Sequence, residues 1–386
     1  MAHGKTVLVL GGGIGGTVAA TRLRRTLSRE HRVVLVERET RHVFSPSFLW
    51  LMIGDRSAER IGRPMAALAK RGIELVQGPI ERIDPAARSV RVGGKELTGD
   101  YLVIALGADL VPEAIPGLRE AGHNFYSLSG AESLRDARLK LQSGRIVVLV
   151  SAMPFKCPGA PNEAAMLLEY DCRRRGIGDR VKVDLYTAEP GPMPVAGPEV
   201  SSALRQMIEA KGIGYHPNHA ATSVDPAQRR ISFANGATAD FDLLAYIPPH
   251  RAPQVVRDAG LCGESGWVPV DRGTLETKFP GVFAIGDVTG IMLTSIGKPL
   301  PKAGVFAHNE AEVVARNIVR AITGKGEQQR FTGDGECFIE TGGGRAAFGS
   351  GNFYAEPAPQ IKLKRPGVML HLGKVAYEKF WLFRWF

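Results

Sequence analysis

Short runs of unbroken apolar residues recur along the chain, each ending at glycine or another turn former. Val7-Leu-Val-Leu10, Val33-Val-Leu-Val36 and Ile146-Val-Val-Leu-Val150 show no alternation of apolar and polar positions. Strands that lose this alternation are buried on both faces, as in parallel sheets covered by helices. Residues 181–187 and 241–247 read as further strands. Between the strands the period changes: residues 17–27, 163–170 and 199–211 read as helices. From Lys302 to Ala321 apolar residues return every three or four positions, which predicts another helix. Asn162 is placed to cap the helix that starts at Glu163. Strands and helices in alternation predict an α/β protein with parallel sheets. Past Phe331, residues 333–340 are expected as an edge strand carrying Cys337. Residues 342–351 are expected as a glycine-rich hairpin, because no Lys-Ser/Thr pair follows the glycines as in a phosphate loop.

The first strand runs into Gly11-Gly-Gly13-Ile-Gly-Gly16, then a helix, then a second strand ending at Glu37. Strand, glycine turn, helix, strand and a later acid form the fingerprint of an adenine-dinucleotide site. Gly11 permits the tight turn, Gly13 lets the backbone approach a pyrophosphate, and Gly16 lets helix and strand pack closely. The helix start offers free N–H groups and a positive dipole end to the phosphates. Glu37 is placed to accept hydrogen bonds from the ribose 2′-hydroxyl, which argues against a 2′-phosphate. Two later stretches resemble the second and third FAD motifs of flavoproteins with paired dinucleotide-binding domains. They are Asp100-Tyr-Leu-Val-Ile-Ala-Leu-Gly107-Ala108 and Thr274-Leu-Glu-Thr-Lys-Phe-Pro-Gly-Val-Phe-Ala-Ile-Gly286-Asp287. The resemblance implies FAD as cofactor, with Gly286 allowing close approach and Asp287 meeting the ribityl hydroxyls. It also implies an FAD domain, residues 1–109 and 268–325, interrupted by a second Rossmann-like domain at 110–267. Residues 326–386 are left as a C-terminal region.

Composition narrows the setting. The chain of 386 residues has a formal net charge of +10 and four cysteines. Four are too few for a disulfide scaffold, and no Cys-x-x-Cys or Cys/His cluster points to zinc or an iron–sulfur centre, so no metal is expected. The basic excess suits an anionic lipid surface or an anionic substrate. No helix-turn-helix or zinc-finger signature accompanies it, and nucleic acid is not expected as a partner. No secretory signal fits the N-terminus, because its apolar run ends in the glycine loop. No apolar run approaches the roughly 20 residues needed to cross a bilayer. The tail Lys374-Val-Ala-Tyr-Glu-Lys-Phe-Trp-Leu-Phe-Arg-Trp-Phe386 crowds aromatic and basic residues as a bilayer interface does. It is expected on an anionic membrane surface, being short and aromatic for the face of a core helix. Arg173-Arg-Arg175 is expected as a solvated helix end.

The turn after residues 146–150 departs most from expectation. A second domain that bound NAD(P)H would carry another glycine fingerprint there. The chain reads Ser151-Ala-Met-Pro-Phe-Lys156-Cys157-Pro-Gly-Ala-Pro-Asn162 instead. Cys157 follows Lys156 and precedes a helix N-terminus, both of which favour the nucleophilic thiolate. Lys302 and the adjacent helix start would stand near the flavin if Asp287 meets the ribityl chain. A cation there would stabilise the anionic reduced flavin.

With Lys156-Cys157-Pro-Gly-Ala-Pro161, Pro301-Lys302-Ala-Gly304, Cys337 and the aromatic tail, the chain resembles the sulfide:quinone oxidoreductase family over nearly its whole length. The resemblance implies that Cys157 and Cys337 flank the flavin, take up sulfide and carry sulfur between them. It implies Glu163 as acid or base, and electron flow through FAD to a membrane quinone on the opposite face. Peripheral attachment to the surface of the cell (inner) membrane follows, its side left open, with the C-terminal region as the attachment, and a homo-oligomer is left open. Cys172 and Cys262 match no motif and are expected to be structural. Two departures stand out. Many members carry a further cysteine where this chain has only the serines of Phe125-Tyr-Ser-Leu-Ser129, and some use a histidine that Glu189-Pro-Gly-Pro-Met-Pro-Val195 lacks. Three alternatives remain: a type 2 NADH:quinone oxidoreductase, which needs the missing glycine turn; the flavoprotein of a flavocytochrome c-type sulfide dehydrogenase, usually exported; and a non-enzymatic FAD-binding redox sensor at the membrane.

Overall fold

The computed structural model describes residues 4–386. Two five-stranded parallel sheets organise it. In the first, the strands stand in the order Val282–Ala284, Tyr101–Ile104, Thr6–Leu10, Arg32–Glu37, Glu74–Gln77. Thr6–Leu10 is central, paired in parallel with Arg32–Glu37 on one side and Tyr101–Ile104 on the other. Both faces of this strand are covered, which is why its alternation disappears. Val7 and Val9 pack with Val18, Leu23 and Val314, while Leu8 and Leu10 pack with Ile83, Val90 and Leu261. The helices Ile14–Thr26 and Gly304–Thr323 lie together on the first of these faces.

The second sheet has the order His123–Asn124, Leu243–Ile247, Gly144–Val150, Val181–Thr187, Gly214–His216, again all parallel. The helix that follows its central strand is Ala160–Arg174, so it begins before the position expected from Asn162. Pro161 explains the difference: its fixed φ and missing N–H suit the first turn. Asn162 lies inside that turn and donates from its side chain to the Pro158 carbonyl at 3.3 Å.

At the far end of this helix the arginine triplet is not uniformly solvated. Arg173 and Arg174 are exposed, the first paired with Glu169 on its own helix and the second with Asp55 and Asp171, while Arg175 donates to the carbonyls of Arg138 and Leu141. Arg138 joins this layer to the first domain. Its buried guanidinium donates to the Met52 and Ile53 carbonyls at 2.9 and 2.6 Å and pairs with Asp171 at 2.7 Å.

Asp334–Gly342, Arg345–Asn352 and Gln360–Gly367 form an antiparallel sheet, with the Cys337 strand at one edge as expected. The chain then closes with the helix Val368–Arg384. Contrary to expectation, this aromatic tail does cover a core: Trp381, Leu382 and Trp385 are each no more than 2% exposed. The buried stripe is Lys374, Glu378, Trp381 and Trp385, spaced at three and four residues. Glu378 is received by Ser47 at 2.6 Å and Arg56 at 2.9 Å. The opposite face is apolar too, and exposed: Met369, Leu372, Phe380 and, at 80%, Phe383. No helix among the described residues is long and apolar enough to cross a membrane.

Arg138→Met would take the guanidinium donor from the Met52 carbonyl, leave the Ile53 carbonyl to Arg174 alone, and remove one of the cations on buried Asp171. Arg174 still pairs with Asp171, so the loss is expected at the low end for a broken buried pair, about 3 kcal/mol in urea unfolding. Arg173→Met, which removes only an exposed pair with Glu169 one turn away, is expected to change stability by less than about 0.5 kcal/mol.

Candidate active site

Every strand of the first sheet ends at one cavity of about 480 Å³. It is lined by the residues just past the strand ends: Gly11, Arg38, Gly78, Ala105 and Ile285. The carboxyl edge of a parallel sheet is where such folds bind ligands. Gly11 has a φ of +95°, and a Cβ there would lie 2.6 Å from the Ala105 carbonyl. A Cβ on Gly16 would overlap the Gly11 carbonyl, so Gly16 serves helix–strand packing and does not line the cavity. Gly13 faces open space in it. The unpaired first-turn N–H groups of Ile14–Thr26 are at the same place. Glu37 lines the cavity while its carboxylate accepts the Gly12 and Glu39 N–H groups.

Gly107, Gly286, Asp287 and Lys302 line the same cavity. The Gly286 N–H donates to Glu310 at 2.6 Å, and burial pushes the Glu310 carboxyl up to about 7. Lys302 is an interior cation, not a surface one. Its Nζ donates to the Asp287 and Thr289 carbonyls at 2.7 and 2.8 Å and stands 3.4 Å from the centroid of the Trp267 ring. Burial lowers its pKa to about 8. A glycine-lined phosphate end, an acid for a ribose and a polar far end fit an extended dinucleotide such as FAD.

Phe125, Tyr126, Lys156 and Cys157 close the far end. Cys157 has a φ of +53°, a left-handed conformation that costs energy in a residue with a side chain. Its surroundings hold it there. The Cys157 N–H donates to the Lys302 carbonyl at 2.6 Å, and its own carbonyl accepts from Ala160 N–H at 2.9 Å and Tyr126 Oη at 3.0 Å. The Cys157 N–H is thus tied to the Lys302 loop.

The edge strand brings Cys337 to the same turn. A Cβ built on Gly159 would lie 3.8 Å from Cys337 Sγ and 3.8 Å from Glu163 Oε1, so thiol and carboxylate face one small space. Both cysteines are free thiols. The thiolate expected from Lys156 and the helix start is not favoured: burial dominates and, with Glu163 adding to it, pushes Cys157 up to about 12. Burial, then the neighbouring Cys157, push Cys337 higher still, against the opposing charge of Lys374.

Glu163 is 2% exposed. Its Oε2 accepts from Lys374 Nζ at 2.5 Å and from the Glu340 N–H at 2.8 Å, which leaves Oε1 toward Gly159. Burial works against the Lys374 charge, but Glu163 and Glu340 outweigh it and hold its pKa above the ordinary value. His371 meets Glu340 at 3.0 Å. Lys374, Glu340, His371 and Tyr126 escaped the reading of the sequence. A glutamate on an otherwise apolar helix face demanded a cation, but nothing in the spacing said which. Cys172 is buried and Cys262 half-buried, and neither lines the cavity. Glu189, in the loop without a histidine, is buried and pushed up to about 8.

A dinucleotide crevice on one parallel sheet, faced by a buried cysteine turn from a second, defines a flavoprotein oxidoreductase of the disulfide-reductase type. Residues 5–311 match the family model described as pyridine nucleotide-disulphide oxidoreductase. The chain is 30% identical to the sulfide-quinone reductase of Aquifex aeolicus over 98% of its own length and 91% of that protein's. It is 28% identical to the mitochondrial sulfide:quinone oxidoreductase of Mus musculus, covering 91% of this chain and 79% of that one. The X-ray structure of the Aquifex aeolicus sulfide:quinone oxidoreductase superposes with a TM-score of 0.88, at 28% identity over 99% of this chain and 91% of that one. The chain belongs to the pyridine nucleotide-disulphide oxidoreductase family and, within it, to the sulfide:quinone oxidoreductases; it is an FAD-dependent enzyme.

Glu163 raises the pKa of both thiols and Lys374 lowers it. Glu163→Gln removes the negative charge, so alkylation of Cys157 by iodoacetamide at pH 9 should accelerate, by roughly tenfold for each unit its pKa falls. Lys374→Met should slow the same reaction. Labelling rates followed by peptide mass spectrometry check the two opposite signs.

Proposed function

We propose that the enzyme oxidises sulfide at Cys157 and Cys337 and delivers the electrons to a membrane quinone. The observation that carries this reading is the meeting of Cys337 Sγ and Glu163 Oε1 around Gly159, behind the turn that puts Cys157 in the FAD cavity. The names of the Aquifex and mouse relatives support it. FAD, when bound, supplies a two-electron acceptor and donor.

The residues of the chain handle sulfur and protons. The two free thiols are first joined by loss of two protons and of two electrons, taken up by FAD when it is bound; hydrosulfide then opens the bond between the two sulfurs, leaving a persulfide on one and a thiolate on the other. Closure of the thiolate onto the persulfide forms a three-sulfur bridge and releases two electrons and one proton. Glu163 receives that proton at Oε1, the oxygen left toward Gly159 while Lys374 and the Glu340 N–H hold Oε2. Further hydrosulfide then releases the chain as sulfane sulfur or polysulfide.

The exposed apolar face of Val368–Arg384, with Lys379 and Arg384 on the same helix, is the part we place on an anionic membrane surface, where quinone is available. The NADH:quinone reading has less support, because the turn that would seat NADH is tied to Lys302 and carries Cys157.

Anaerobic stopped-flow absorbance tests the reading. Sulfide should bleach the flavin, decylubiquinone should restore its colour, and NADH should do neither. Cys157→Ser should slow bleaching by at least about 100-fold, the scale on which losing a nucleophile acts. Normal bleaching of that variant, or bleaching by NADH alone, contradicts the proposal.

A further inference from the structure

His42 is buried, with a partner on each ring nitrogen. It stands on the short strand Arg41–Val43 and is 5% exposed. Nδ1 lies 3.0 Å from the Gly12 carbonyl, and Nε2 lies 3.3 Å from Nε1 of Trp381. An indole N–H only donates and a carbonyl only accepts. The imidazole is therefore neutral, donating from Nδ1 to Gly12 and accepting at Nε2 from Trp381.

Gly12 is in the glycine turn of the dinucleotide site. Its N–H donates to Glu37, and its carbonyl also accepts from Thr17 Oγ1 at 3.0 Å. Within one peptide unit the C=O and N–H point in opposite directions. Holding the Gly12 carbonyl toward His42 and Thr17 turns the Gly13 N–H the other way, and Gly13 lines the cavity while Gly12 does not. At the other end of the link, Trp381 belongs to the C-terminal helix. The end of that helix is held by Arg71, which donates to the Arg384 and Phe386 carbonyls at 3.0 and 3.2 Å. The Phe386 ring packs 4.7 Å from the His42 ring. The tail is thus wired to the phosphate-binding turn through one imidazole.

We propose that His42 and Trp381 form a strut by which the C-terminal helix positions the dinucleotide turn, so that FAD binding and docking of that helix are linked. Both are positioning residues, since neither lines the cavity. The linkage is reciprocal: whatever holds the helix in place tightens FAD, and FAD tightens the helix by the same factor. The inference rests on the FAD assignment and is independent of the sulfur chemistry.

Trp381→Phe keeps a ring in place but removes the N–H, leaving His42 Nε2 buried without a donor. Trp385→Phe alters the same helix at a residue that packs on His308, Arg22 and the Trp381 ring but takes no part in the His42–Trp381 hydrogen bond. FAD affinity of the deflavinated full chain, read by quenching of flavin fluorescence, should weaken roughly tenfold in Trp381→Phe, as expected for a lost buried hydrogen bond. In Trp385→Phe it should change by less than about twofold, because the strut is intact. Hydrogen–deuterium exchange of residues 375–386 in the unaltered protein should slow when FAD binds. Equal weakening in both variants, no weakening in Trp381→Phe, or tail exchange indifferent to FAD each overturns the proposal. The exchange measurement needs no variant and decides the matter if Trp381→Phe fails to fold.

Discussion

The ion pair between Glu163 and Lys374 joins three parts of the molecule that are far apart in sequence. Glu163 belongs to the helix of the cysteine turn, Lys374 to the C-terminal helix, and the Glu340 N–H that completes the arrangement belongs to the Cys337 strand. Burying two charges costs several kcal/mol per ion, and attraction recovers it only with good geometry and added hydrogen bonds. Those additions are present. Glu163 accepts two donors, and Lys374 stands over the Trp50 ring at 5.1 Å with Glu340 nearby. The pair also fixes how the two cysteines meet, because the strand that carries Cys337 is registered against the Cys157 turn at this point. Losing either partner would strand a charge in the interior and loosen the sulfur site together with the tail.

Reactivity at this site is set by position more than by a lowered pKa. Burial pushes both thiols up, so hydrosulfide from solution is the readier nucleophile to start the reaction on the joined cysteines. The nearby carboxylate and ammonium then decide where a proton goes. On the cofactor side, Lys302 is bound to backbone carbonyls and held on an indole, which places a cation whose charge is easily changed at the end of the FAD cavity. The left-handed backbone of Cys157 is the local strain that this arrangement carries, restrained by Lys302, Ala160 and Tyr126.

The central strands and the glycine turn were legible because each signal is local. Double-sided burial erases alternation in Val7–Leu10, and the turn needs glycine at position 11 for its left-handed backbone and at position 16 to clear the Gly11 carbonyl, both local reasons. The Cys157 turn was legible by what it lacks. The thiolate was misread, because Lys156 and the helix start are neighbours in sequence whereas burial is a property of the whole fold. The tail was misread for a related reason. Its buried stripe runs through Lys374 and Glu378, polar residues that hide a helix face whose charges are satisfied 211 residues away at Glu163, and at Ser47 and Arg56. Its aromatic residues divide between that face and the exposed one. The pairing of Cys157 with Cys337 came from resemblance alone, since no spacing rule links an edge strand to a turn so far upstream.

The claim on which the rest turns is that Cys157 and Cys337 work as one sulfur-carrying pair. Peptide mass spectrometry of the enzyme after anaerobic reaction with sulfide, digested without reductant, tests it directly. A cross-linked species joining the Cys157 and Cys337 peptides through one or more added sulfur atoms, dispersed by dithiothreitol, is the predicted result. Recovery of both peptides as separate, unmodified thiols from enzyme that has turned over sulfide would contradict it.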